Sequence, residues 1–263
     1  MQDINLSLVQ TSLAWENPEA NLDHFTKMLE TSGNPADLVI LPEMFNTGFT
    51  MNAVKNAEDM SGRSLQWMAD AASKKNCVLC GSLIILDQGK YFNRFIWMRP
   101  DGSHEHYDKK HLFRMGDEHR HFSAGNKKLI TELKGWKVMP LICYDLRFPL
   151  WSKNEFIDND YTYDLLIYVA NWPAARAQAW SSLITGRAIE NMTYTAGVNR
   201  VGTDGRGYEY NGSSLVVAPD GHSVCRIPPD KEVVTNILLK ATPMLELREK
   251  LGVGKDWDKF ELI

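Results

Sequence analysis

Val138-Met139-Pro140-Leu141-Ile142-Cys143-Tyr144-Asp145-Leu146-Arg147-Phe148-Pro149 reads as a buried strand that stops at a cysteine. An apolar run without charge on either face is what a strand covered on both sides carries. A side chain at such a strand-to-turn junction can stand exposed at the end of its sheet. The next backbone N–H, that of Tyr144, is then free to face a reacting oxygen, as in nucleophile elbows on other folds. A helix beginning near Pro149 would add its dipole, and nearby cations their charge, in favour of a thiolate. The plainer alternative is a core cysteine ending a strand.

Working outward, runs rich in Val, Ile and Leu at 4–9, 37–41, 78–86, 138–143, 164–170, 193–201, 214–218 and 233–239 read as strands. Asn17-Pro18-Glu19 supplies a cap, a proline at the first helical position and an acid in the first turn, opening a helix to about residue 30 with a stop at Gly33. Further helices are predicted at 64–75, 174–190 and 244–251. The second of these carries Ala177, Trp180, Ile184 and Ala188 on one face, which should pack on a sheet. Arg99-Pro100-Asp101-Gly102-Ser103 and Ala218-Pro219-Asp220-Gly221-His222 read as hairpin turns, a weak echo between two halves of the chain. Strands alternating with helices, mixed with hairpins, predict an α/β fold: a four-layer α-β-β-α sandwich of two mixed β-sheets with helices outside. No linker or charge run divides the 263 residues, so one domain over 1–263 is expected.

Apolar residues at 44% and charged residues at 24% suffice for a core without disulfides or metal. The formal charge of −4 carries no block of one sign, which argues against nucleic acid or anionic lipid as partner. Met1-Gln2-Asp3-Ile4-Asn5 has neither the basic region nor the apolar run of a signal peptide, and no stretch is apolar enough to span a membrane. A cytoplasmic protein without membrane association is the expectation. Cysteines at 77, 80, 143 and 225 fit a reduced compartment. Cys77-Val78-Leu79-Cys80 imitates a redox or zinc motif, but residues three apart on a strand face opposite sides, so core thiols are expected there.

Two further segments carry chemistry. Leu41-Pro42-Glu43-Met44-Phe45 puts a carboxylate at a strand end, where open α/β sheets build their sites. Glu43 and Cys143 could meet there as base and nucleophile; the alternative is a surface loop glutamate. In Tyr107-Asp108-Lys109-Lys110-His111-Leu112-Phe113 an extended backbone would point Lys109 and Lys110 in opposite directions, so only one could reach a shared pocket. An ammonium there would stabilise an oxyanion and lower a thiol's pKa; the alternative is solvated surface. His104-x-His106 and His119-x-His121 admit a metal reading, though no complementary ligand cluster accompanies them. His111 could instead activate Cys143 as in papain-like enzymes. Neither a metal nor a cofactor is expected.

Together the segments resemble the nitrilase superfamily of carbon–nitrogen hydrolases. Pro42-Glu43 matches its Pro-Glu motif, Tyr107 through Leu112 its Tyr-x-Lys-x-His-Leu motif, and Cys143 through Pro149 its Cys-Tyr-Asp-x-Arg-Phe-Pro motif. The register selects Lys109 over Lys110. Glu118, seven residues before Gly125, occupies the place of the family's second glutamate, with Ala124 where proline is common. The resemblance continues through Ala170-Asn171-Trp172-Pro173, Arg187-Ala188-Ile189-Glu190-Asn191 and Val198-Asn199-Arg200-Val201-Gly202, where it is most like the bacterial omega-amidase branch. Members of that branch hydrolyse the terminal amide of 2-oxoglutaramate or 2-oxosuccinamate. The resemblance implies Glu43, Lys109, Cys143 and Glu118 as catalytic residues, the Tyr144 N–H as oxyanion donor, and a thioester intermediate. For the substrate, Arg147 and Arg176 are candidates to hold a remote carboxylate, with Phe113, Trp172 and Tyr144 as walls. Other activities of the superfamily (aliphatic amidase, carbamoylase, nitrilase) remain alternatives. A homodimer or higher homo-oligomer is implied, as is a pocket shaped by loops 45–59 and 202–211.

Overall fold

In the computed structural model, which describes residues 1–33 and 36–261, the main strands form two six-stranded sheets. The first runs in the order Val233–Leu239, Ile4–Gln10, Leu38–Ile40, Val78–Asp87, Lys90–Met98, His104–Asp108. The second runs Ser223–Arg226, Leu215–Val217, Tyr194–Asn199, Leu165–Ala170, Trp136–Ile142, Thr131–Leu133. Each has a parallel centre and antiparallel edges, so both are mixed. The echo between the halves is real: the turns at 99–103 and 218–222 close a hairpin in each sheet.

Side-chain alternation sorts the first sheet into two layers. Leu38, Ile40, Val78 and Cys80 join the core shared with the second sheet, while Val39, Leu41, Cys77 and Leu79 pack beneath the outer helices Pro18–Thr31 and Arg63–Lys75. Cys77 and Cys80 therefore lie in different layers as free thiols, and burial pushes Cys77 up to about 11. On the far side of the second sheet, Trp180, Ile184 and Ala188 of Ala177–Asn191 are fully buried. Trp180 approaches so closely that a Cβ on Gly197 would stand 2.7 Å from its ring, which is why that strand position carries glycine.

Boundaries differ from expectation where side chains divert the backbone. The run 193–201 is broken: Asn199 ends its strand, its Oδ1 accepting the N–H groups of Trp172 and Arg200, and Val201–Thr203 pairs instead with Glu209–Asn211 as a separate ribbon. Residues 174–176 form a 3₁₀ turn before the helix proper. The last helix begins at Ala241 and admits Pro243 in its first turn, where a missing N–H costs nothing.

Candidate active site

Chain ends from both sheets meet in one crevice. Glu43 follows the strand Leu38–Ile40, Lys109 follows His104–Asp108, Cys143 follows Trp136–Ile142, and Asn171 follows Leu165–Ala170. These are strand C-terminal ends, where α/β sheets place their ligands. Glu43, Lys109 and Glu118 are fully buried. Lys109 leaves its strand with its N–H on Asn93 O at 3.0 Å and its C=O on the N–H of Gly125 at 2.9 Å. Only glycine fits at 125, since a Cβ there would meet Asp108 O at 2.1 Å. Lys110 points elsewhere, its Nζ 5.3 Å from the Trp151 ring, although the strand has already ended at Asp108.

Lys109 Nζ donates to Glu43 Oε1 at 2.8 Å and to both carboxylate oxygens of Glu118 at 3.0 Å. Glu118 also accepts the Phe113 N–H at 2.6 Å. Glu43 Oε2 accepts the Asn171 N–H at 2.8 Å, and the carbonyl of the same Asn171 lies 3.9 Å from Cys143 Sγ. One residue thus touches both the carboxylate and the sulfur. The structure brings together all four side chains singled out for catalysis.

The electrostatics follow from two carboxylates sharing one ammonium, all three side chains fully buried. Burial disfavours the charged form of Lys109, but Glu118 and Glu43 outweigh it and hold its pKa above the ordinary value. Burial, with the Glu43 charge added, raises Glu118 despite the attraction of Lys109. Cys143 is raised well above the usual thiol range by burial and then by Glu43, and Lys109 offsets only part of this. The expected lowering of the thiol by the lysine is present but outweighed by burial and Glu43. The helix at Pro149–Ser152 is a single turn, too short and too far along to supply a dipole. At rest the sulfur is a thiol that needs a base.

Cys143 itself has left-handed backbone, φ 45°, in the 3₁₀ turn Cys143–Arg147. Such a conformation costs a non-glycine residue about 1–3 kcal/mol and persists only where the surroundings enforce it. Asp145 does the enforcing. Its Oδ2 accepts the Ile142 N–H at 3.1 Å and the Tyr107 hydroxyl at 2.8 Å, and its Oδ1 accepts the His111 N–H at 2.9 Å. The cysteine turn and the lysine loop are clamped by one buried carboxylate. His111 Nδ1 lies 2.8 Å from the same Asp145, and the ring stacks on Phe148 at 3.7 Å. Among the described residues His111 has no hydrogen bond to Cys143, which removes the geometric basis for a Cys–His pair. His104 and His106 lie exposed on an edge strand, and no three His, Cys, Asp or Glu among the described residues are grouped for a metal.

Cys143 opens on a cavity of about 50 Å³. All five other expected contact residues line it: Phe113, Tyr144, Arg147, Trp172 and Arg176. The Arg147 guanidinium stands 4.9 Å from the Trp172 ring, and that of Arg176 stands 5.7 Å from the Phe113 ring. Neither is paired with a carboxylate among the described residues. Trp172 is fixed at both ends, its backbone N–H on Asn199 Oδ1 at 2.8 Å and its indole N–H on Arg176 O at 2.9 Å.

Sequence reasoning missed Phe49, Arg206, Tyr208 and Tyr210, which complete the wall from the two loops whose placement could not be read. Asp204 shapes the second loop, accepting the N–H groups of Arg206 and Tyr208 and the Tyr210 hydroxyl. Asn93 was missed as well. Its Nδ2 donates to Glu43 Oε1 at 2.8 Å and Glu118 Oε1 at 3.1 Å. An asparagine inside the strand Lys90–Met98 was the available signal, because strands disfavour it unless the side chain has work.

Comparison with known proteins gives kinship over the full length. The carbon–nitrogen hydrolase family model matches residues 5–241. The chain is 42% identical over 266 residues to omega-amidase YafV of Escherichia coli strain K12, covering 100% of both chains. It is 30% identical over 254 residues to a 2-oxoglutaramate amidase of Bacillus subtilis strain 168, covering 95% of this chain and 96% of that one. A CN-hydrolase superfamily protein of Xanthomonas campestris, whose crystal structure has an arsenic adduct in the active site, superposes with a TM-score of 0.98 at 41% identity and 100% coverage of both. Motif order, fold and full-length similarity agree, and this chain belongs to the carbon–nitrogen hydrolase family.

Proposed function

We propose that the protein hydrolyses the terminal amide of small 2-oxo-dicarboxylate monoamides, 2-oxoglutaramate or 2-oxosuccinamate, to the acid and ammonia. The observation that carries the chemistry is the buried Glu43–Lys109–Glu118 network set against Cys143. Glu43 takes the thiol proton as sulfur attacks the amide carbon. The oxyanion is held by Lys109 and by the Tyr144 N–H, which opens its turn where no intrahelical acceptor precedes it. An ammonium has three N–H groups, and here they face three carboxylate oxygens. Binding the oxyanion therefore requires one contact to Glu118 to be released, and the remaining contacts to Glu118 and Glu43 orient the ammonium. The C–N bond breaks as Glu43 returns its proton to nitrogen, leaving a thioester and ammonia. The same carboxylate then activates water, which releases the acid and restores the thiol.

Substrate choice rests on the omega-amidase and 2-oxoglutaramate amidase relatives and on two guanidinium groups without carboxylate partners beside an apolar slot. A substrate carboxylate would satisfy Arg147 or Arg176 while its short stem lies between Phe113 and Trp172. We further infer one domain over 1–263, a homodimer or higher homo-oligomer, and a cytoplasmic location, which suits four free cysteines. Among the described residues no helix is long and apolar enough to cross a membrane. Ammonia release from 2-oxoglutaramate, 2-oxosuccinamate, succinamate, glutamine, a carbamoyl amino acid and a nitrile tests the substrate. The first two should lead in kcat/KM; preference for an uncharged amide by about tenfold, close to one charge-assisted contact, would remove the carboxylate clamp.

A further inference from the structure

Asn93 sits in the strand Lys90–Met98 and is fully buried. Its NH₂ touches both Glu43 and Glu118, while its Oδ1 has no hydrogen-bond partner. A buried unpartnered carbonyl is unfavourable, so packing alone does not explain this orientation. Turning the amide over would press its oxygen against two carboxylate oxygens, and charge therefore decides which way it faces. The side chain is arranged for what its nitrogen gives.

The need is electrostatic. Glu43 and Glu118 together carry two negative charges, Lys109 carries one positive, and none of the three contacts solvent. Two carboxylates so placed repel each other, and burial together with the Glu43 charge raises Glu118 towards its protonated form. A neutral donor touching both favours the doubly ionised pair without a further charge. It also occupies Glu43 Oε1 beside Lys109, which leaves Oε2 on the Asn171 side, towards the sulfur.

We propose that Asn93 is a positioning residue for the hydrolysis: it holds Glu43 and Glu118 as two separate carboxylates and turns Glu43 so that one oxygen serves the thiol. The inference rests on Glu43 as base and Cys143 as nucleophile. The test is the pH profile of kcat and kcat/KM on 2-oxoglutaramate for the parent, Asn93→Leu, Asn93→Ser, Glu118→Gln, and Asn93→Leu combined with Glu118→Gln. Loss of the donor should move the acid limb of kcat/KM upward by about one pH unit and lower kcat at neutral pH by about tenfold or more, with KM changed by less than about threefold. Asn93→Ser should move the limb in the same direction and carries the test if the leucine variant fails to fold. With Glu118→Gln present, Asn93→Leu should move the limb less, because only the direct hydrogen bond to Glu43 is then lost and there is no like-charged neighbour to be kept from. An unmoved limb accompanied by a lower Tm overturns the proposal, since it reports packing alone. A displacement of equal size with and without Glu118 overturns it too. Turnover surviving in Cys143→Ala would instead indict the underlying reaction, whereas normal Asn93 variants in an enzyme silenced by Cys143→Ala overturn this inference only.

Discussion

The buried network behind Cys143, taken as the floor of the site, and the mouth of the pocket are built on opposite principles. On the floor, Glu43, Lys109 and Glu118 are fully buried and tied to one another and to strand ends. At the mouth, Arg147 and Arg206 are exposed, Arg176 is half-buried, and their contacts are chiefly with ring faces. The contrast follows from cost. An ionised group deprived of water must find its partners within the protein, so the floor is over-determined and rigid. A guanidinium in contact with water tolerates an open partner position until a ligand arrives. In the proposed reaction the floor sets the chemistry and the mouth the choice of substrate.

The largest expected effect breaks the floor at the sulfur. Cys143→Ala should lower kcat by at least about 10⁴-fold, on the scale of nucleophile removal in other covalent hydrolases, read as ammonia release. Next, Lys109→Ala should lower kcat by about 10²–10³-fold through loss of an oxyanion donor. It should also lower unfolding stability by about 3–5 kcal/mol in denaturant titration, because two buried carboxylates lose their counter-ion. A Lys109→Ala protein as stable as the parent would show that the floor is less dry than described. The pH dependence of alkylation is a third probe. With the thiol pKa raised, the reactive thiolate is scarce at neutral pH, so iodoacetamide should label Cys143 faster as pH climbs towards the alkaline range. A plateau already reached at neutral pH would contradict the raised value.

Smaller effects are expected at the mouth. Whichever of Arg147 and Arg176 holds the carboxylate, its replacement by alanine should cost about 10–150-fold in kcat/KM on 2-oxoglutaramate, the range of a charge-assisted contact, while an uncharged amide changes little. Equal losses on both substrates would mean that the arginine braces the wall instead.

The same division explains which residues the amino-acid sequence reveals by itself. Glu43, Lys109 and Cys143 are legible there because each ends a strand inside a motif that resembles the family's; parity says only that one of the two lysines can face the pocket, and the register of the motif selects Lys109. The layers are legible from strand parity, down to the separation of Cys77 from Cys80. The raised thiol is not, because it arises from the convergence of groups far apart in the chain. Nor is the break at Asn199, which depends on a side-chain hydrogen bond to Trp172. Arg206 and Tyr208 carry no periodic signal, and their placement depends on how Asp204 folds its own loop.

The most direct measurement is mass analysis of the enzyme quenched during turnover of 2-oxoglutaramate, followed by peptide mapping. The account predicts an acyl group, equal to substrate less ammonia, on the peptide containing Cys143 and none in Cys143→Ala. An acyl group on any other residue, or undiminished ammonia release by Cys143→Ala, would contradict it.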